Sequence, residues 1–394
     1  MMKLPTKKII LITCGMLWAG ASPNVWAVDC SNMQPGTQTF TIPLSPATIS
    51  AGADIPVGTV IYQGNWITGN EGLLSCKAES GDVAGSLWYN TSINIESAPM
   101  GLSGLMSGPF PGAVYQTNIP GVGIAISRYS DRKAATVGAP AYRDVNSLFS
   151  LSSDNIANGG NISAWPLHVS LIKTGPITPG SYTLNSSSLP SARIYWANPL
   201  MLPPVKGLPV GINTYRFQGQ LTVSAQTCTT PDVSVNLGSY EKHEHFNGIN
   251  STTPWIDSSI MLTNCPVFYG FYNQTNPRLM ADFNAGTSNT AVPTNNSIGV
   301  RLAPTTSVID AANGIMAIDS TVSGAAAGVG IQIGWGNSSQ TPTLFNFAGE
   351  QAMTLPKDGS PTIRVPLAAR YIQTLSNVSP GKANGKVVFT INYY

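Results

Sequence analysis

Apolar and polar positions alternate along much of the chain with a period of two. Phe40-Thr41-Ile42-Pro43-Leu44, residues 58–62 (GTVIY), 122–126 (VGIAI), Leu167-His168-Val169-Ser170-Leu171 and 181–184 (SYTL) are short runs of this kind. Glycine, proline and asparagine punctuate them, which is the signature of strands joined by turns. No segment keeps a helical period for about twelve residues, so helix is minor. The pattern predicts an all-β protein built as sandwiches or barrels. Its clearest instance is the final stretch, GKANGKVVFTINYY at 381–394. There Val387, Phe389, Ile391 and Tyr393 share one face, and Val388, Thr390 and Asn392 the other. β-Branched and aromatic residues dominate without proline, so a terminal strand is expected.

The first 27 residues read differently. Lys3, Lys7 and Lys8 precede an apolar run from Ile9 to Ala21, and Val25-Trp26-Ala27 is a small-residue cleavage site. This predicts a secretory signal peptide over 1–27, too short and wrongly flanked for a membrane helix. Removing it takes three of the 20 basic residues and none of the 18 acidic ones, leaving 17 against 18, so the +2 of the full chain becomes −1. Such a balance offers no electrostatic grip on nucleic acid. Charged residues make up only 10% of the chain, while glycine (39) and proline (30) are abundant. The surface is therefore hydroxyl- and amide-rich rather than ionic, as in exported β-proteins.

Five cysteines become four when Cys14 leaves with the signal, and they fall as two separated pairs, Cys30/Cys76 and Cys228/Cys265. In an oxidising compartment this reads as one disulfide per domain, although four cysteines allow three connectivities. Zinc is the other use of such residues, but there is no CxxC and the spacing suits it poorly. A mature length of about 367 residues implies two domains. The expected boundary lies near Ser224, giving 28–224 and 225–394, with almost no linker between YRFQGQLTV (215–223) and Cys228.

Tyr393 is penultimate and Gly381 fourteenth from the end, with alternating apolar residues between them. This arrangement resembles the C-terminal signature of subunits assembled by the chaperone–usher pathway of Gram-negative bacteria. The second domain carries the likeness through DVSVNL (232–237), IMLTNC (260–265), Ser297–Leu302, GVGIQIGW (328–335) and VPLAARY (365–371). The resemblance implies an incomplete immunoglobulin-like sandwich that lacks its own final strand. It further implies partners: a periplasmic chaperone, the outer-membrane usher and an adjacent subunit donating a strand. Gly381, Val387, Phe389, Ile391 and Tyr393 would carry those contacts. In the first domain, VYQTNIPGVGIAI (114–126) and LIKTGPITPG (171–180) resemble stretches of the receptor-binding domains of fimbrial tip adhesins. Cleavage after Ala27 would leave two residues before Cys30, too few for the donated strand of an ordinary subunit. The expectation is therefore a tip position.

Catalytic chemistry finds no constellation. His168 lies in an alternating strand and reads as a solvated or satisfied histidine. His243 and His245 of EKHEH would share one face if extended, but no third ligand accompanies them. Gly101-Leu102-Ser103-Gly104 lacks the last glycine of a nucleophile elbow, because Leu105 stands there. Gly328-Val329-Gly330 feeds a strand rather than a helix N-terminus. No enzyme activity, cofactor or metal is expected.

Recognition remains. A host glycan or glycoprotein receptor asks for aromatic faces beside amide and carboxylate groups on loops of a rigid scaffold. Two stretches qualify: Lys77, Glu79 and Asp82 after Cys76, and Tyr195, Trp196 and Asn198 in RIYWAN. Trp88, Tyr89 and Asn90 form a weaker third. The expected function is a two-domain tip adhesin displayed on the cell surface; the alternative is a minor structural or initiating subunit that caps the fibre without a defined receptor.

Overall fold

The computed structural model describes residues 28–32, 38–44, 48–68, 73–78, 86–129, 133–150, 156–161, 166–224, 227–282, 285–287 and 291–394. The expected signal peptide lies outside them, as do Glu79 and Asp82. Strands dominate, and among the described residues the only α-helix is the single turn Lys242–His245. The chain forms two β-sandwich domains with separate apolar cores.

In the first sandwich an eight-stranded sheet faces a five-stranded one. The spine of the larger sheet is the 15-residue strand Val210–Ser224, paired antiparallel with Ser191–Ala197 and Gly180–Leu184, and parallel with Thr39–Leu44. Alternation works as the sequence suggests. Leu167, Val169 and Leu171 of Pro166–Lys173 are essentially sealed in the core, as are Ile194 and Trp196 of Ser191–Ala197. Val122–Ser127 is buried on both faces, because Phe110, Val114 and Ile172 pack with Ala125 on the outer side. A strand covered on both sides has no polar face to alternate with. His168, between Asn65 and Ser127 on the central strand of the five-stranded sheet, is 9% exposed rather than solvated.

The second sandwich sets a six-stranded sheet around Val329–Trp335 and Leu367–Gln373 against a three-stranded sheet ordered Gln351–Thr354, Ser297–Pro304, Val387–Tyr393. Its core gathers Val300, Leu302, Met316, Ile331, Val365 and their neighbours. Each sandwich has one disulfide: Cys30–Cys76 joins register partners on adjacent strands, and Cys228–Cys265 closes the second. EKHEH is not extended. It forms the short helix, where positions two apart sit roughly 200° apart, so His243 and His245 do not share a face.

The sandwiches are joined by more than the chain. Arg278–Asp282, from the second half, adds in parallel to Val60–Ile67 and becomes the edge of the first sandwich's smaller sheet. Tyr272 is buried in the first core, edge-on to Tyr62 at 6.2 Å. Ser50 and Asn296 tie the junction: the Tyr269 amide donates to the Ser50 hydroxyl, and the Asn296 side chain donates to the carbonyls of Ser50 and Tyr394.

Candidate strand-acceptor groove

The terminal strand Val387–Tyr393 forms because its four apolar residues fall on one side of the pleat. Val387, Phe389 and Ile391 are half-buried against the second core, and Tyr393 is fully buried in it. Among the described residues its only strand partner is Ser297–Pro304, with Ile298 opposite Tyr393 and Leu302 opposite Phe389. Backbone parity follows from the register. Ser297 and Tyr394 exchange both amide–carbonyl bonds, and the Thr305 amide donates to the Lys386 carbonyl. In an antiparallel ladder the bonded pairs are every second residue, so Val388, Thr390 and Asn392 bond to the partner. The amides and carbonyls of Val387, Phe389, Ile391 and Tyr393 point the other way, to the outer edge.

Beside that edge lies a groove of about 650 Å³. Its far wall is residues 232–237, a stretch in no strand ladder among the described residues. Val233 is 40% exposed there, Val235 is half-buried and Leu237 is buried, so an alternating run presents apolar side chains without a partner strand. The floor is apolar, with Leu302, Met316, Ile331 and Ile333 below. Gly385 keeps it open at one end: a Cβ there would sit 2.6 Å from Ile331 Cδ1 and 3.0 Å from Met316 Cε. At that end Tyr371 lines the groove and donates its hydroxyl to the Ala383 carbonyl at 3.2 Å. Burial pushes the Tyr371 phenol up from its ordinary pKa, so it stays a neutral donor. At the opposite end the walls converge, because the Cys228 amide donates to the Tyr393 hydroxyl at 3.2 Å.

On its outer face the terminal strand is held by Glu350. This carboxylate accepts from Arg301 Nε at 3.1 Å and Asn392 Nδ2 at 2.7 Å, with Tyr394 Oη at 3.4 Å. Partial burial acts to raise its pKa, but the hydrogen bonds from Asn392, Arg301 and Tyr394 outweigh that and lower it. The carboxylate is thus a charged clamp on the strand end, on the face of the strand turned away from the groove.

Val387 and Phe389 line the groove; Ile391 lies further along the same edge. Gly381 does not line it. It packs where a Cβ would strike the backbone of residues 324–326, at 2.5 Å from the Ala326 nitrogen. The wall at 232–237 was readable as alternation, but nothing in the sequence marks it as unpaired.

The first sandwich disperses the other candidates. Trp196 is a core residue with no exposed surface, which corrects its expected contact with ligand. Asn198 is structural: its side chain accepts from the Val205 amide and donates to the Leu208 carbonyl, holding the following loop. Tyr195 lies half-exposed on the outer face, its hydroxyl 2.6 Å from Glu96 Oε1 and its ring under the Arg193 guanidinium. Lys77 is exposed on Leu73–Ala78. Asn90 is buried and holds Asn146, whereas Trp88 is 42% exposed. Among the described residues no group of three or more His, Cys, Asp or Glu side chains could hold a metal.

Residues 215–394 match the family model described as Fimbrial protein. Solved structures with similarity include the CupB6 tip adhesin from Pseudomonas aeruginosa, at 16% identity, 93% of this chain, 95% of that chain and TM-score 0.32. The CsuC–CsuE chaperone–tip adhesion subunit pre-assembly complex of Acinetobacter baumannii gives 14% identity, 92% and 99% coverage and TM-score 0.25. The receptor binding domain of the adhesin MrkD1P of Klebsiella pneumoniae covers 51% of this chain and 98% of its own, at 17% identity and TM-score 0.24. No curated protein matches the chain by sequence.

Proposed function

We propose that this chain is the tip adhesin of a chaperone–usher fimbria. The first domain, 28–224, holds a ligand on a host or other surface. The second, 225–394, plugs into the fibre by accepting a strand. One observation carries the reading: Val387 and Phe389 direct backbone donors and acceptors into an apolar groove, Ile391 continues the same edge, and the other wall at 232–237 has no strand partner among the described residues. An added strand would satisfy both walls with main-chain bonds and fill the floor with alternate side chains, which is the physics of β-augmentation. Left open, such an edge invites aggregation, so a periplasmic chaperone would cover it first and a neighbouring subunit later, at the usher. A glycan is the ligand class that a hydroxyl- and amide-rich surface suits, with half-exposed Tyr195 and exposed Lys77 as candidates among the described residues, beside Glu79 and Asp82 outside them.

The test is periplasmic co-expression of the chain with the chaperone of its own gene cluster. The wild type should co-purify one-to-one, and Phe389→Asp should not. Failure of the wild type to form that complex, or equal co-purification of Phe389→Asp, would contradict the proposal.

A further inference from the structure

The outer edge of the terminal strand is not free along its whole length. Tyr393 is the last residue whose amide and carbonyl point to that edge, and both are taken by the first domain. The Tyr393 amide donates to Asp54 Oδ2 at 2.9 Å, and the Asp54 amide donates to the Tyr393 carbonyl at 3.1 Å. Together these reproduce the two bonds that a paired strand would make, using a loop and one carboxylate. The close approach depends on Gly52, where a Cβ would fall 2.2 Å from the Tyr393 carbonyl oxygen. The loop is pinned from behind: Lys173 Nζ donates to the Ala53 carbonyl at 2.8 Å, and the Ala51 amide to the Ser224 carbonyl at 2.9 Å. Below it, the Cys228–Tyr393 hydrogen bond draws the groove walls together at the same end.

We infer that the Gly52–Asp54 loop of the first domain is a strand stop: it closes one end of the acceptor groove and sets how far an incoming strand can advance along the terminal strand. The edge that remains offers Val387, Phe389 and Ile391, so the guest pairs over about five residues and ends beside Asp54. Asp54 is therefore a positioning residue for the guest's register, although it lies in the other domain. This inference rests on the acceptor reading proposed above and extends it to the choice of guest. A segment whose pairing register runs on past Ile391 meets a loop already bonded to Tyr393.

The test uses the full chain folded with either of two Val–Thr alternating peptides, about five and about nine residues long, in wild type, Asp54→Ala and Asp54→Asn. Residue-resolved hydrogen exchange and peptide dissociation half-lives are read. In peptide-free wild type the Tyr393 amide should exchange about tenfold more slowly than that of Ile391. Asp54→Ala should abolish that difference, and Asp54→Asn, which keeps an acceptor oxygen, should restore it. The longer peptide should outlast the shorter by about fivefold more in Asp54→Ala than in wild type. Equal Tyr393 and Ile391 exchange in wild type, or equal length dependence in the two proteins, would overturn the stop. If neither peptide binds any variant while Tyr393 remains protected, the acceptor reading itself fails and the stop has nothing to limit.

Discussion

The Cys228 amide donates to the Tyr393 hydroxyl at 3.2 Å, joining the residue that opens the second sandwich to the strand that ends it. Both residues are buried, and Cys228 is fixed in turn by its disulfide to Cys265. Tyr393→Phe keeps the ring, which stacks on Phe268, but leaves a buried amide without an acceptor. The expected loss is about 1–3 kcal/mol in the second domain, measured as a drop in denaturant midpoint at unchanged slope.

Glu350 predicts an acid-sensitive strand end. Folding lowers its pKa, so the stability it contributes is present above the ordinary glutamate range and disappears as pH falls through the lowered value. The thermal midpoint of the second domain should therefore decline on acidification below about pH 4.5. In Glu350→Gln the midpoint at neutral pH should already be lower and this part of the acid dependence absent. Melting curves over a pH series compare the two.

Cutting the chain at residue 224 should weaken the first domain. It would lose the parallel strand Arg278–Asp282 from its sheet edge and Tyr272 from its core. Burial of one large aromatic alone is worth about 2 kcal/mol. Urea unfolding of 28–224 should show a lower midpoint than the same region in the full chain, followed by hydrogen exchange in Pro166–Lys173. Identical stability would mean that the inter-domain strand contributes nothing.

Adjacent residues in RIYWAN should respond oppositely. Trp196→Ala removes a fully buried ring and should cost about 3–5 kcal/mol. Tyr195→Ala removes a half-exposed ring from the outer face and should cost about 1 kcal/mol. If this face holds the ligand, glycan-array binding by the chaperone-bound full chain should fall with Tyr195→Ala while its melting point barely moves.

The terminal strand was legible because Val387, Phe389, Ile391 and Tyr393 face one core while the other side meets solvent, so composition tracks burial. Val122–Ser127 was legible as a strand but not as a doubly covered one, since Phe110 and Val114 fold back over it from the irregular segment just upstream. Trp196 could not be told from Tyr195 by residue type. Only strand parity, set by the pairing of Trp196 with Thr91 and Val210, decides which ring turns inward. The EKHEH turn failed because four residues give no period to read. Asp54 was invisible because its role lies in two backbone groups 339 positions away. The groove's far wall was misjudged differently: DVSVNL looks like any strand, and an absent partner leaves no trace in the strand itself.

The most direct measurement is residue-resolved hydrogen exchange along Val387–Tyr393, with the full chain free and bound to a Val–Thr peptide. The strand parity predicts that Val388, Thr390 and Asn392 are protected in both states by Ser297–Pro304. Val387, Phe389 and Ile391 should exchange quickly when free and become protected by about tenfold or more when the peptide binds. Uniform protection of all six amides in the free chain would mean that the edge is already covered, and that the strand accepts no guest.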